Sequence, residues 1–545
     1  MGHSDIVPRV AMVETELKFQ VPPETRAAAR RALATTRARS VSLRAKYFDT
    51  PDRRLAAAGL ALRLRKEGRQ WVQTLKGPGA SALQRIEHEI PLGQARGEPQ
   101  LDVARHAGTP AGEALAAALG DSAGSLQLVF ETKVRRTHRL VRSAGALVEV
   151  AFDCGEIIAG RAGVESQRAP LCEIEFELVR GPVEGLLALA ARWVERHRLW
   201  LDVRSKAERG ERLARGVEAG PAVQASQPPL EPHMSADAAL RHIIGTCLAQ
   251  VLPNAADVAA GVGGAEHLHQ LRIGLRRLRC ALRVFGDASP AADAGWAPAL
   301  AALFARLGAA RDRDAIAESV LPELRRAGAP LAELPADGSG DDPGDALRGV
   351  ACTRLLLELI GFSHPATEPD AGLSRRRAAP SRLKPQGPRR GPCRAMGAAN
   401  AVSVGAPSTG PPQPDIVSLV KPRLRRMRRQ LEADAAAFMT LDDTARHRTR
   451  RRLKRLRYSL EFVAALFPAG AVKRCLARVR PAQEVLGRYN DLAVAEQAFR
   501  MQTAQDPRAW FAVGWLSARR AQLVPQATRA LVRLARTPDV WRKRK

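Results

Sequence analysis

Hydrophobic and polar residues alternate with a period of two through much of the first 215 residues. Short runs of this kind, bounded by Gly, Pro and Asp, predict antiparallel β-strands with one apolar and one polar face. Two segments break the pattern, because residues 24–36 and 183–197 have the apolar spacing of amphipathic helices. We therefore expect a strand-rich unit over residues 10–215 with two flanking helices.

The pattern changes after residue 215. Residues 216–232 are rich in Gly, Pro and Ala and are predicted to be a linker. Beyond them Ala, Leu and Arg recur at helical spacing, which predicts two helical segments over residues 233–335 and 423–535. Residues 336–422 separate these segments, and the ten prolines between residues 365 and 414 indicate a disordered insertion rich in Pro and Arg.

The polar faces of the predicted strands carry charges of both signs. On the first strand Glu14, Glu16 and Lys18 share one face, since alternate residues of a strand point the same way. Four further strands repeat this arrangement with the charged residues Arg63, Arg65, Arg85, Glu87, Glu89, Glu149, Asp153, Glu173, Glu175 and Glu177.

For any one of these strands, a solvated polar face is the simpler interpretation. For the set, clustered carboxylates and arginines suit hard cations and phosphate oxygens. Closing the strands into a barrel, with their apolar faces outward under the two helices, would give a polar lumen. The expected fold class is a multidomain α+β protein: an N-terminal antiparallel β-barrel with flanking helices, then C-terminal all-α duplicated helical bundles.

Composition narrows the function classes. The chain has 545 residues, more than one hydrophobic core usually holds, and lacks an apolar run long enough for a membrane span. Its first residues include no apolar secretion segment and its 7 cysteines form no CxxC pair, so we expect a cytoplasmic protein without a disulfide scaffold.

The net charge is +30, and most of the excess positive charge lies after residue 220. The second half should therefore attract a polyanion.

One sequence pattern occurs twice in that second half. The spacing His-x-x-Arg-x-x-x-[Arg/Lys]-Arg-x-Arg begins at His269 and again at His447. Each copy is followed by a shorter repeat, over residues 307–314 and 486–492. An internal duplication explains both and predicts two related helical bundles.

The basic residues of each copy step by three and four, so they form one stripe along a helix. A solvated basic face is one interpretation of such a stripe. The other is an anion site, because like charges on one helix face repel unless a multivalent anion neutralises them. A single histidine per helix is better explained as an anion donor or a structural hydrogen-bonding group than as a metal ligand.

The strands of the first half resemble the CYTH domain, the family of triphosphate tunnel metalloenzymes. The segment from Glu14 to Lys18 fits the family's ExExK signature. Further matches follow in order, among them YFDT at 47–50, RIEHE at 85–89 and SKAERG at 205–210. The resemblance covers about residues 10–215.

The resemblance to CYTH domains implies a closed antiparallel β-tunnel that binds triphosphate and Mg²⁺ or Mn²⁺ and hydrolyses a terminal phosphoanhydride. It implies catalytic roles for Glu14, Glu16, Lys18, Glu149 and Asp153. The metal ligands that it implies are Glu14, Glu16, Glu173 and Glu175. The triphosphate-binding residues that it implies are Lys18, Arg63, Arg65, Lys76, Arg85, Arg136 and Lys206.

The duplicated helices resemble the CHAD domain, a conserved-histidine α-helical domain. This resemblance covers about residues 233–335 and 423–535, and the Pro-rich stretch between them departs from the family. It implies two pseudo-symmetric four-helix bundles whose basic helices bind inorganic polyphosphate. The residues implied in that binding are His269, Arg272, Arg276, Arg279, His447, Arg450, Lys454 and Arg457.

The resemblances of both halves thus indicate that the protein binds condensed phosphate. The leading hypothesis is a cytoplasmic, metal-dependent inorganic triphosphatase with a polyphosphate-binding helical module. Thiamine or nucleoside triphosphate hydrolysis, or adenylyl cyclisation, on the same tunnel is an alternative within the enzymes. A non-catalytic polyphosphate-binding scaffold is a second alternative and nucleic-acid binding a third, while no membrane partner is expected.

Overall fold

A computed structural model describes most of the chain. The described residues are 12–79, 81–95, 97–160, 166–308, 318–331, 333, 342–364 and 415–541. Within them, no helix has the length and apolar character needed to cross a membrane.

The first half folds into a closed antiparallel β-barrel. Its strands are β1 (Met12–Gln20), β2 (Arg39–Asp49), β3 (Ala61–Glu67), β4 (Gln70–Pro78), β5 (Gln84–Gln94), β6 (Gln127–Ser143), β7 (Ala146–Ala159), β8 (Gln167–Arg180) and β9 (Trp200–Leu201). They are hydrogen bonded in the order β5-β4-β3-β2-β6-β7-β8-β1-β9. Pairing of β1 with β5, with Glu14 opposite Arg85, closes the sheet, as the alternating pattern predicts.

The α-helices described alongside these strands are α1 (Arg26–Leu33), α2 (Arg54–Ala57), α3 (Pro110–Leu119), α4 (Val183–His197) and α5 (Lys206–Arg215). The two helices predicted from the sequence are confirmed as α1 and α4. The apolar faces of β1 and β8 point outward, where Phe176 packs edge-on against Phe19 and against Trp193 of α4. All three rings are buried, so the core lies outside the barrel and the charged faces point into its lumen.

Helix α5 packs against the barrel at a position where only glycine fits. Ser205 caps the N-terminus of the helix, its hydroxyl accepting a hydrogen bond from the Glu208 amide at 3.0 Å. A Cβ added at Gly210 would lie 2.1 Å from the ring of Phe130, which stacks on Tyr47 of β2. The missing side chain therefore lets α5 approach the barrel closely and sets the position of its first residue, Lys206.

The second half is helical. Its described helices are α6 (Ala236–Ala259), α7 (Ala265–Phe285), α8 (Trp296–Arg306), α9 (Leu321–Arg326), α10 (Pro343–Arg348), α11 (Val350–Ser363), α12 (Ile416–Ala437), α13 (Asp443–Phe462), α14 (Ala469–Gln502) and α15 (Ala509–Ala535). The leucines of α7 at 268, 271, 275, 278 and 282 are buried, so its apolar stripe faces the core.

The structure departs from the expectation that residues 336–422 form one disordered insertion. Helices α10 and α11 lie inside that range, and α12 begins at Ile416 rather than at residue 423. Leu355, Leu356 and Leu359 of α11 are buried, because they recur at helical spacing and meet the core. The Pro-rich composition is confined to residues 365–414 and does not describe the helical residues on either side of it. The stretch itself, residues 365–414, lies outside the described residues.

The two halves share one hydrophobic core. Helix α11 packs on α4, with Gly361 so close to Leu187 that an added Cβ would lie 2.6 Å from a leucine methyl carbon. Residues of the connecting segment 216–232 are also held, since Arg277 of α7 donates a hydrogen bond to the Ser226 carbonyl at 2.8 Å. The connecting segment thus lies against the helical half.

Substituting Gly210 tests the packing of α5. We expect Gly210→Ala to lower the free energy of unfolding by about 1–3 kcal/mol, because the new methyl group meets the Phe130 ring. Gly487→Ala is the matched control: it also lies inside a helix, α14, but nothing lies within 4 Å of the added Cβ. The control should be neutral or stabilising by up to about 1 kcal/mol. Urea denaturation of both variants makes the comparison, and equal effects would contradict the packing account.

Candidate active site and anion-binding helices

Three carboxylates lie side by side inside the barrel. Asp153 of β7 is paired with Glu173 of β8, and Glu175 is the next residue on the same face of β8. One oxygen from each lies within 4.8 Å of the others, and Asp153 and Glu173 have no exposed surface. We call these residues the acidic triad. Carboxylate oxygens are ligands that hard divalent cations prefer, so the acidic triad fits a Mg²⁺ or Mn²⁺ ion.

Three basic side chains neutralise the acidic triad. The Lys206 ammonium, at the start of α5, lies 2.9, 2.5 and 2.7 Å from one oxygen of each member in turn. Arg136 lies 2.5 Å from Glu175, and Arg209 lies 2.8 Å from Glu173. Burial raises the pKa of Glu175, but Lys206 and Arg136 outweigh it and hold that pKa well below its ordinary value. The carboxyl group of Glu175 is therefore ionised.

A second group of charges lines the lumen on β1, β4 and β5. The Lys76 ammonium lies 2.7 Å from Glu14 and 3.1 Å from Glu87, while Arg85 lies 2.9 Å from Glu16. Burial lowers the pKa of Lys76, but the carboxylates of Glu14 and Glu87 outweigh it and raise that pKa above its ordinary value. Lys76 is thus a permanent cation in the lumen.

The arginines of β3 extend this group. Arg65 donates a hydrogen bond to Glu89 at 2.8 Å, and Arg63 donates one to the Tyr47 hydroxyl at 3.3 Å. Burial raises the pKa of Tyr47, but the Arg63 charge outweighs it and leaves that pKa below its ordinary value. Basic groups on three adjacent strands therefore face one side of the lumen.

A cavity of about 1310 Å³ connects both groups of charges. The sequence-predicted residues that line it are Glu14, Glu16, Lys18, Arg63, Arg65, Lys76, Arg85, Arg136, Glu149, Asp153, Glu175 and Lys206. Glu173 lies behind the lining, where it contacts Lys206 and Arg209. The fold thus brings the predicted tunnel residues together around one space.

The carboxylates are grouped differently from the predicted metal ligands. Glu173 and Glu175 are joined by Asp153, whereas Glu14 and Glu16 pair with Lys76 and Arg85. Sequence alternation places a carboxylate on the lumen face but does not give the stagger between strands, which decides which carboxylates meet.

Several charged groups of the lumen were not among the predicted site residues. Glu87 and Glu89 pair with the lumen cations, and Glu177 lines the cavity beyond the acidic triad. Burial, together with the charges of Glu14 and Glu149, raises the pKa of Glu177 to about 8. Glu87 and Glu177 follow predicted site residues at a spacing of two, and Glu89 follows Glu87, so the alternation that indicates the charged strand faces places all three in the lumen.

In the helical half, the two predicted basic stripes meet. Lys454 of α13 is half-buried beside Arg276 of α7 and beside Arg450 and Arg457 of its own helix. Burial and the charges of Arg276 and Arg450 lower the pKa of Lys454 to about 6. Asp491, on α14, opposes that shift only in part. Cations from both copies of the repeat therefore converge on Lys454.

Other members of the stripes have identified partners. Arg272 is buried and donates to the carbonyl oxygens of Leu307 and Gly308 at 2.7 Å each, at the end of α8. Arg279 lies beside the ring of Phe304. His269 is half-buried on the same helix.

In the second copy, the Nδ1 atom of His447 lies 3.0 Å from the side-chain oxygen of Asn490, and Arg457 pairs with Glu461 at 2.7 Å. Asn490 belongs to the shorter repeat over residues 486–492, so this repeat contacts the histidine. In the first copy, residues 309–317 lie outside the described residues.

Comparison with known proteins agrees with this geometry. The family model of the CYTH domain matches residues 12–210, and that of the CHAD domain matches residues 242–500. An inorganic triphosphatase from Haemophilus influenzae is 31% identical over 207 residues, which are 37% of this chain and 55% of the relative. The chain thus spans about half the length of this curated relative.

Two solved structures are also similar. The CHAD domain from the plant Ricinus communis is 24% identical, with a TM-score of 0.43, over 59% of this chain and 100% of that one. PptA from Streptomyces chartreusis is 17% identical, with a TM-score of 0.32, over 56% of this chain and 99% of the other.

The charged barrel and the two family matches lead to the same assignment. The chain carries a CYTH domain, matched over residues 12–210, followed by a CHAD domain, matched over residues 242–500.

Proposed function

We propose that this protein is a metal-dependent inorganic triphosphatase, which hydrolyses triphosphate to pyrophosphate and phosphate, with a helical module that binds polyphosphate. The observation that carries the proposal is the acidic triad beside a wall of Lys and Arg in one cavity. The 31% identity to an inorganic triphosphatase supports it. The metal ion would need the acidic triad, and the triphosphate would need the wall of Lys and Arg.

The acidic triad would hold the divalent cation, Mg²⁺ or Mn²⁺. When bound, that ion would neutralise charge on the phosphoryl oxygens and make a water molecule a better nucleophile. Since the Lys206 ammonium contacts all three members of the acidic triad, it stands where a cation is needed. Displaced from there, Lys206 would reach phosphate, which is the role that the family resemblance implies.

The basic wall would bind the phosphate chain. Lys76, Arg63, Arg65 and Arg85 each lie within 4.0 Å of a lumen carboxylate, so all four face the space that a triphosphate would occupy. Fixed cations of this kind stabilise the charge that develops on the leaving pyrophosphate. Glu149, which lines the cavity and lies 3.2 Å from His138, would orient the attacking water.

The helical module would bind polyphosphate where the two basic stripes meet. Arg276 and Lys454 come from different copies of the repeat and lie close enough for one charge to lower the pKa of the other. A polyanion between α7 and α13 would remove this repulsion. We expect this site to prefer a flexible linear phosphate chain over duplex DNA, because the convergent cations Arg276 and Lys454 are half-buried between α7 and α13.

Removing charge from the acidic triad tests the metal site. We expect Asp153→Asn and Glu175→Gln each to lower metal-dependent phosphate release from triphosphate by about 100-fold or more, because a charged ligand is lost. Glu156→Gln is the matched control, as Glu156 is on β7 but pairs with the exposed Arg168 outside the lumen. Release within threefold of the unsubstituted protein in both triad variants would contradict the site.

Binding of polyphosphate should take up a proton at Lys454. The pKa of about 6 means that this amine is mostly neutral at pH 7, and a bound polyanion would raise that pKa. Affinity should therefore increase as pH falls from 8 to 6, by at most about tenfold per pH unit for one proton.

Isothermal titration calorimetry with long-chain polyphosphate, in buffers of different ionisation enthalpy, measures this uptake. Lys454→Arg is the control, because its guanidinium stays charged and should remove most of the pH dependence. An unchanged pH slope in Lys454→Arg would show that Lys454 is not the linked group.

A further inference from the structure

One carboxylate of the helical half reaches the end of the tunnel. Asp257, near the end of α6, is buried, with 4% of its side chain exposed. Its Oδ1 atom lies 2.6 Å from Arg212 Nη1 and 3.4 Å from Arg204 Nη1. Its Oδ2 atom lies 3.6 Å from His267 Nε2 of α7. Asp257 therefore joins the helical half to two arginines of the CYTH domain.

Those arginines flank the residue that occupies the acidic triad. Arg204 precedes Lys206 by two residues, and Arg212 lies on α5, which Lys206 begins. Arg204 is itself buried, is held by Asp202 at 2.8 Å, and accepts at its carbonyl oxygen a hydrogen bond from Lys18 Nζ at 3.3 Å. A shift of this segment would move both Lys206 and Lys18.

The helical half also forms part of the cavity wall. Asp257 and Asn254 line the same cavity as the acidic triad. Asn254 exchanges two hydrogen bonds, of 3.1 and 3.0 Å, with the backbone of Val223 in the connecting segment. The end of the tunnel is thus bounded by α5 on one side and by α6 with the connecting segment on the other.

The charges around Asp257 explain why substituting this one residue should disturb α5. Asp257 is shared by two cations, and a buried arginine left without its partner carries a large desolvation cost. Arg212 keeps Glu208 at 2.6 Å and Arg204 keeps Asp202, so loss of Asp257 should loosen α5 rather than unfold the domain. We therefore expect loss of the Asp257 charge to affect only the segment that carries Lys206.

We propose that Asp257 is a positioning residue for the tunnel, through which the helical half holds α5 and so places Lys206 for phosphate binding. This role rests on the proposed triphosphatase function for its kinetic consequence, but not for its structural one. Lys206 is the group that acts on the substrate, and Asp257 acts through Arg204 and Arg212. The helical half then contributes to the tunnel as well as to its own anion site.

Two measurements on Asp257→Asn in the full-length chain test the proposal. Hydrogen exchange of the α5 amides should become at least tenfold faster, while the strands of the barrel keep their protection. The KM for triphosphate should rise about tenfold with kcat within threefold, and Asp257→Glu should restore part of the loss.

The matched control is Glu195→Gln, which removes another ion pair between the halves. Glu195 lies 2.6 Å from Arg354, but both side chains are half-exposed and neither lines the cavity. Hydrogen exchange of α5 and KM should both stay at their original values in this variant. Equal effects in the two variants would overturn the proposal, since any contact between the halves would then suffice.

The two ways of failing are distinguishable. Unchanged α5 exchange in Asp257→Asn overturns the positioning role whatever the activity. Faster α5 exchange with an unchanged KM also overturns it, because the contact would then be structural only. If the unsubstituted protein releases no phosphate from triphosphate, the proposed function fails, and triphosphate affinity measured by calorimetry replaces KM as the test of Asp257.

Discussion

Burying Asp153, Glu173 and Glu175 together requires a positive charge among them. Three carboxylates within 4.8 Å of one another repel strongly in a space with little water. Lys206 supplies the central positive charge, and Arg136 and Arg209 supply two more from the sides. Much of this positive charge comes from α5, which carries Lys206 and Arg209, so the position of α5 against β7 and β8 organises the site.

The position of α5 is set by contacts that lie far apart in the sequence. Gly210 lets the helix approach the Phe130 ring, Ser205 fixes its first turn, and Asp257 holds Arg212 from the helical half. Each contact acts on the same ten-residue helix. If a mobile linker alone joined the two halves, no contact such as that between Asp257 and Arg212 would be expected. Here the connecting segment is itself hydrogen bonded to α6 and α7.

Much of this could be predicted from the sequence, because alternation and helical spacing are local. The lumen faces of the strands and the two basic stripes follow from spacings of two and of three to four residues. What local patterns lack is the stagger between strands, which brings Asp153 beside Glu173 and Glu175. The family resemblance, rather than the alternation, implies Glu14 and Glu16 as metal ligands together with Glu173 and Glu175. Local patterns also miss α5, whose ten residues mix Lys, Arg and Glu, and α11, which adjoins a Pro-rich stretch.

The acidic triad and its contact with Lys206 predict where a metal ion binds. Crystals grown with Mn²⁺ and a non-hydrolysable triphosphate analogue, with anomalous diffraction measured at the manganese edge, test it. We expect an anomalous peak among the carboxylates of Asp153, Glu173 and Glu175, with the Lys206 ammonium moved onto a phosphate oxygen. A peak at Glu14 and Glu16 instead, with Lys206 still in contact with the acidic triad, would contradict it.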